Sequence, residues 1–150
     1  MGDLEIRRAT ADDLPLIVAM LADDPLGAQR ESLDDLTPYL AALERLNADP
    51  NQHLVVAVRE GRVVGTLQLM IISGLSRKGA TRSIIEGVRI HADERGSGLG
   101  TQLIEWATEE SRRQDCQLVQ LTSDSSRRDA HRFYERLGFT ASHVGFKLQL

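Results

Sequence analysis

Aromatic side chains are scarce in this chain, at 4% of its 150 residues, so the core has to be built from Leu, Ile, Val and Ala. There is a single cysteine, Cys116, which excludes an internal disulfide. A small core residue is the favoured reading of it over a catalytic thiol. No apolar run approaches the ~20 residues of a membrane-spanning helix. The opening MGDLEIRRAT holds no apolar signal core, and Ile6 stands where a myristoylation signal wants Ser or Thr. A cytoplasmic protein without a membrane partner is therefore expected. A basic excess is also missing: the formal net charge is -4, with no dense Lys/Arg patch, which argues against a nucleic-acid partner. The four histidines, His53, His91, His131 and His143, show no ligand spacing, and no metal is expected. No repeat, linker or second hydrophobic block interrupts the chain, so residues 1–150 are read as one domain.

What is present is a regular alternation of strand and helix signals. LEIRR (4–8) reads as a short strand. Thr10 and Asp13 form a capping-box-like start for a helix carrying Leu14, Ile17, Val18 and Leu21. Ser32 and Asp35 open a second helix through Leu36, Leu40 and Leu43, with Pro38 in its early turns. HLVVAVRE and RVVGTLQLMII flank a turn at Glu60, Gly61 and Arg62 and make an antiparallel hairpin. SIIEGVRI is a third strand of this block. A helix then runs from about Leu99 to Arg113, with Leu99, Leu103, Ile104 and Ala107 on one stripe. QLVQLTS reads as a buried strand. RRDAHRFYERLG is a last helix with Ala130, Phe133, Tyr134 and Leu137 on one face and Gly138 as its stop. HVGFKLQL alternates Val144, Phe146, Leu148 and Leu150 and reads as a final strand. The order β-α-α-β-β-β-α-β-α-β belongs to the α/β (α+β) class, a mixed, largely antiparallel sheet flanked by helices.

The segment ERGSGLGT (94–101) places three glycines at the mouth of a helix. Free N–H groups of a first helical turn, the helix dipole and bare glycine backbone make an anion seat. The dinucleotide fingerprint fails, since Thr101 stands where its third glycine belongs, and no Gly-Lys-Ser/Thr follows. A turn or a phosphate cradle both remain open on the loop alone.

The longer string IIEGVRIHADERGSGLGTQLIEWA, with AHRFYERLGF downstream, resembles the GNAT acetyltransferase superfamily. Arg95-Gly96-Ser97-Gly98-Leu99-Gly100 matches its Arg/Gln-x-x-Gly-x-Gly/Ala signature. Tyr134, Gly138 and Phe139 match its Tyr near a helix end before Gly-Phe. The resemblance implies acetyl-CoA as co-substrate, with its pyrophosphate on the N–H groups of Gly96, Ser97, Gly98, Leu99 and Gly100. Thr101 caps that contact and Arg95 adds charge. The pantetheine arm would pair with the backbone of Val88, Arg89 and Ile90 as an added strand.

An N-acetyltransferase must deprotonate its amine and protonate its leaving thiolate. Strict alternation places Glu86 on one strand face with Ile84, Val88 and Ile90, where burial would raise its pKa toward that of a useful base. Its register also matches the family position that often holds a base, and Gly87 allows a bulge there. Tyr134 is the expected acid. Where many relatives carry Asn for the pantetheine, this chain has Arg127; either Arg127 or Arg128 is expected to reach the cofactor phosphates instead, or Ser125 and Ser126 to replace the amide contact. The acceptor is expected to be a small-molecule primary amine. The acidic run Asp23, Asp24, Glu31, Asp34 and Asp35 favours a cationic acceptor, whereas Arg77, Lys78 and Arg82 favour one with an acidic group. The alternatives are a non-catalytic acyl-CoA-binding sensor and an unrelated nucleotide-binding domain. The resemblance and the apolar C-terminal strand are compatible with a homodimer.

Overall fold

The computed structural model of the chain describes residues 3–150. Chain packing separates two compact units, one reaching Gln120 and one formed by Leu121–Leu150. The elements run β1 (Leu4–Arg8), α1 (Leu14–Ala22), α2 (Gly27–Arg30), α3 (Thr37–Ala48), β2 (Gln52–Arg59), β3 (Arg62–Ser73), the single turn α4 (Ser76–Gly79), β4 (Thr81–Ile90), α5 (Leu99–Arg113), β5 (Leu118–Leu121) and α6 (Arg128–Arg136). The sheet order is β1-β2-β3-β4-β5, and β1 to β4 pair antiparallel in sequence. This is the mixed sheet flanked by helices that the sequence pattern led us to expect.

Two elements differ from that expectation. The second helix begins at Thr37, because Pro38 fits only where no N–H is needed, in the first helical turn. Ser32 and Asp35 instead form the approach to it. The Ser32 hydroxyl accepts from the Asp35 N–H at 3.3 Å, and the Asp35 carboxylate accepts from the Thr37 N–H at 3.0 Å. The C-terminal strand does not form. Residues 141–150 carry no ladder, and Val144, Phe146, Leu148 and Leu150 are all exposed. Alternation supplies one apolar face, but a strand also needs a paired edge, and that is a property of its neighbour.

In the unit reaching Gln120, the sheet has a helix on each face. On one face, Ile17 and Met20 of α1 pack with Ala9, Val56 and Val63, joined by Leu21, Leu54 and Val58. On the other, Leu99, Leu103, Ile104 and Ala107 of α5 are buried, as the predicted stripe requires. A buried hydroxyl pair, Ser83 of β4 and Ser111 of α5 at 2.7 Å, fixes that helix along the strand, with Ser111 also donating to the Ala107 carbonyl.

The start of α1 is tied down by Asp13, only 5% exposed. Its carboxylate takes a two-pronged contact from Arg7, at 2.8 and 3.0 Å, and the Thr10 N–H at 2.7 Å. The Arg7 hydrogen bonds, opposed by burial and aided by the Thr10 N–H, hold the Asp13 carboxyl below the usual carboxylate range. A carboxyl whose folded-state pKa is depressed stabilises the fold above its unfolded pKa of about 3.9 and loses that contribution as pH falls through the folded value. Asp13→Ala should therefore lower stability by about 2 kcal/mol at neutral pH. The gap between variant and wild type in urea unfolding should close as the pH is taken below about 4.

Candidate active site

The site is organised by an interruption in β4. Pairing runs Gly65 with Ile90 and Thr66 with Arg89, then resumes at Gln68 with Glu86. Two residues of β4, Gly87 and Val88, thus face one residue of β3, which is a β-bulge. Gly87 supports it with φ 62°, a left-handed conformation natural to glycine. Paired residues share a sheet face, so Glu86 and Arg89 both lie on the face of Thr66 and Gln68, while Ile90 lies with Gly65 on the other. The single face expected for Ile84, Glu86, Val88 and Ile90 is thereby broken, since one extra residue reverses the alternation. Glu86 is also exposed rather than buried among apolar neighbours as expected.

The far end of β4 is open on one side. The Gln117 N–H donates to the Thr81 carbonyl at 2.8 Å, so the four-residue β5 begins at the start of the ten-residue β4 and ends well before it does. Among the described residues, no strand of the sheet lies beside Val88 and Ile90 on that side, although the Arg89 guanidinium donates to the Val88 carbonyl at 2.9 Å. Arg89 itself is half-buried and ion-paired with Asp24 at 3.3 Å.

Beyond Ile90 the chain is held firmly before the glycines. The His91 N–H donates to the Val64 carbonyl at 2.8 Å, and Arg59 pairs with Glu94 at 2.7 Å in a mostly buried setting. Gly96 and Gly98 then take φ of 81° and 85°, and Gly98 is the N-cap of α5 with no side chain capping it. The first helical hydrogen bond is Gln102 N–H to the Gly98 carbonyl at 3.2 Å. The N–H groups of Leu99, Gly100 and Thr101 precede it and have no helical partner, as a helix start dictates. Leu99 is buried and anchors this turn, whereas Arg95, Gly96, Ser97 and Gly98 are exposed. Ser97 departs from its expected part. Its N–H donates to the Glu94 carbonyl at 3.2 Å and its hydroxyl to the same oxygen at 2.6 Å, which shapes the loop and occupies that donor.

Sequence reasoning missed the partners of the two arginines. Asp23 pairs with Arg95 at 3.0 Å, and Asp24, besides meeting Arg89, accepts from the Gly27 N–H at 2.5 Å. Both acids belong to the run that, in the sequence, favours a cationic acceptor. Nothing local in the sequence links them to arginines so distant along the chain. The remaining acids Glu31 and Asp34, with Ala22, Ala28, Ser32 and Leu33, line an open cleft of about 440 Å³.

The unit Leu121–Leu150 carries Tyr134 and Arg127. Tyr134 is half-buried and meets Phe133 and Phe139 edge-on, with centroids at 5.1 and 5.9 Å. Arg127 is the N-cap of α6 and lines, with Ser126, Arg128, Asp129 and Ala130, a shallow recess of about 360 Å³. Asp124 shapes that approach by accepting from both the N–H and the hydroxyl of Ser126. Among the described residues, no cluster of three His, Cys, Asp or Glu side chains could hold a metal ion, and no helix is long and apolar enough to cross a membrane. Burial pushes the Cys116 thiol up, which disfavours the thiolate that a nucleophile needs.

A methyl group added at Gly98 would meet nothing within 4 Å, so only the backbone conformation resists it. Gly98→Ala should cost about 1 kcal/mol, the handedness penalty of a non-glycine residue. Calorimetry should show a midpoint lowered by about 2–4 °C.

Residues 17–139 match the model of the "Acetyltransferase (GNAT) family". The chain is 35% identical over 145 residues to the aminoalkylphosphonate N-acetyltransferase of Salmonella typhimurium, covering 95% of this chain and 88% of that one. It is 34% identical over 148 residues to the glucosamine 6-phosphate N-acetyltransferase of Trypanosoma brucei brucei, covering 93% and 99% respectively. A crystal structure from Bacillus halodurans C-125, described as a transcriptional regulator, superposes with a TM-score of 0.94 at 44% identity, over 99% of this chain and 100% of that one. With a family model spanning most of its length and two such relatives, the chain belongs to the GNAT family of acetyltransferases.

Proposed function

We propose that this N-acetyltransferase, acting as one domain over residues 1–150, moves an acetyl group from acetyl-CoA to the primary amine of a small molecule that also carries a phosphonate or phosphate. The observation that carries the reading is the uncapped start of α5, opened by left-handed Gly96 and Gly98 at the end of the bulged strand that bears Glu86. The residues fit the cofactor. The N–H groups of Leu99, Gly100 and Thr101, with the helix dipole behind them, suit a pyrophosphate, and the exposed glycines let it approach the backbone. The open backbone of Val88, Arg89 and Ile90 suits the amides of a pantetheine arm. Arg95 and Arg127 add positive charge. Acetyl-CoA, when bound, supplies an activated thioester.

This chain's own residues then handle protons and position. The acceptor arrives as an ammonium, with a pKa near 10.4 for a lysine-like amine, and has to lose a proton before it attacks. Glu86, exposed beside the bulge, accepts that proton directly or through one water. Backbone N–H groups beside the bulge stabilise the oxygen on which charge develops. Tyr134 donates its phenolic proton to the departing thiolate. The substrate class draws support from the two relatives, whose named acceptors share an amine and a phosphoryl oxyanion. Arg77 and Lys78 of α4 offer this chain matching charge. Both are exposed and held at φ 55° and 61°, where non-glycine residues are strained. The cleft with Glu31 and Asp34 suits the cationic end of the acceptor. A homodimer is part of the same reading.

The test is a thiol-release assay with acetyl-CoA over amines paired with and without a phosphoryl group. The phosphorylated member of each pair should have kcat/KM higher by about tenfold or more, since a charge-assisted contact is worth roughly 1.5–3 kcal/mol. Arg77→Ala with Lys78→Ala should erase that preference mainly through KM. Glu86→Gln and Tyr134→Phe should each lower kcat about 10²-fold or more. Wild-type rates in both variants would refute the assigned roles. Acetyl-CoA binding without turnover on any amine would refute the reading itself.

A further inference from the structure

The glycine run before α5 has little to order it from within. Arg95, Gly96, Ser97 and Gly98 are all exposed, and a methyl group added at Gly96 or Gly98 would meet nothing within 4 Å. Glycine also has the most backbone freedom to lose on ordering. The Arg95–Asp23 pair is more than half exposed on both sides and holds weakly. The shape of the run therefore depends on what fixes its two ends. Downstream the anchor is Leu99, 1% exposed. Upstream it is Glu94, the last residue of a single 3-10 turn over Ala92–Glu94. The Glu94 carbonyl accepts from both the N–H and the hydroxyl of Ser97, so where Glu94 sits, Ser97 follows. Its own N–H donates to the His91 carbonyl at 2.9 Å.

What holds Glu94 is the far end of the β2–β3 hairpin. Arg59 and Arg62 face each other across its two-residue turn, Glu60 and Gly61, both left-handed at φ 54° and 74°. Paired residues share a sheet face, so both arginines reach the same 3-10 turn, Arg59 to Glu94 at 2.7 Å and Arg62 to Asp93 at 3.2 Å. The two contacts are not equivalent. The side chains of Arg59 and Glu94 are 14% and 22% exposed, those of Arg62 and Asp93 52% and 71%. Water screens the second pair, whereas charge attraction persists in the first. Arg59 Nε is moreover shielded from water with no hydrogen-bond partner among the described residues, a cost that an arginine turned outward would avoid. We propose, on the reading of the α5 start as a pyrophosphate seat, that Arg59 and Glu94 are positioning residues for acetyl-CoA. Their ion pair fixes the upstream end of the glycine run and so sets the shape of the seat beside the N–H groups of Leu99, Gly100 and Thr101. Neither side chain needs to touch the cofactor. The pair has a second effect: Arg59 neutralises a carboxylate next to Arg95, where an unpaired anion would repel a phosphate.

Calorimetric titration of the full chain with coenzyme A, well below the melting midpoint of each variant, tests the pair. Arg59→Met should raise Kd by about tenfold or more. Arg59 reaches Glu94 through one nitrogen, so Arg59→Lys can keep that contact and should stay within about threefold of wild type. Arg62→Met removes the same charge from the same hairpin end and should change Kd by no more than about twofold. Glu94→Ala separates hold from charge by its sign, and it serves where Arg59→Met folds poorly. Removing an anion beside the seat would on charge alone tighten binding, whereas losing the hold should raise Kd by about fivefold. The inference is overturned, with the seat left in place, by an unchanged Kd in Arg59→Met or by an equal rise in Arg62→Met. It is overturned likewise by a Kd that does not rise in Glu94→Ala, or by an Arg59→Lys chain as weak as Arg59→Met, which would mark mere packing. If wild type itself does not bind coenzyme A, the seat reading fails and the inference falls with it.

Discussion

The extra residue in β4 is the constraint on which the rest of the site depends. Without the bulge, the strand would continue its ladder with β3 and send its side chains alternately to α1 and α5. With it, Glu86 and Arg89 share one face although three positions separate them. Glycine at position 87 is the local condition for this, since φ 62° strains any bulkier residue. The bulge thus sets the face of the carboxylate, and the early end of β5 leaves the neighbouring stretch of β4 without a strand beside it among the described residues.

Charge pairing carries that arrangement outward from the strand. Arg89 meets Asp24, Arg95 meets Asp23, and the two acids are neighbours in the turn after α1. The turn that ends α1 is thereby tied both to the bulged strand and to the approach to α5. The pairs differ in weight. Arg89 and Asp24 are mostly shielded from water, whereas Arg95 and Asp23 are more than half exposed and gain little from each other. Arg59 with Glu94, shielded on both sides, holds the other side of the loop.

Much of this was legible in the sequence because its causes are local. The hairpin turn at Glu60 and Gly61, the apolar stripe of α5 and the glycine run each depend on residues a few positions apart. Glu86 stands out in the sequence as a charged residue in an apolar strand, but its exposure and the faces of its neighbours differ from what strict alternation predicts. Counting by twos fails once a bulge intervenes, and Gly87 signals only that a bulge is permitted. The partners of Arg89 and Arg95 were invisible because ion pairs between distant segments leave no mark in either one. The C-terminal strand failed for another reason: its pattern describes a side chain face, while pairing requires an edge elsewhere.

The seat at the start of α5 is made almost entirely of main chain. Its donors are N–H groups that every residue except proline possesses, and its shape rests on two left-handed glycines and one buried leucine. A seat of this kind depends little on the surrounding side chains, so the phosphate contact proposed for it would tolerate their drift. The turn at Arg77 and Lys78, whose chemistry lies wholly in its side chains, has no such protection. In the proposed reading, the donor half of the site thus rests on main chain and the acceptor half on side chains.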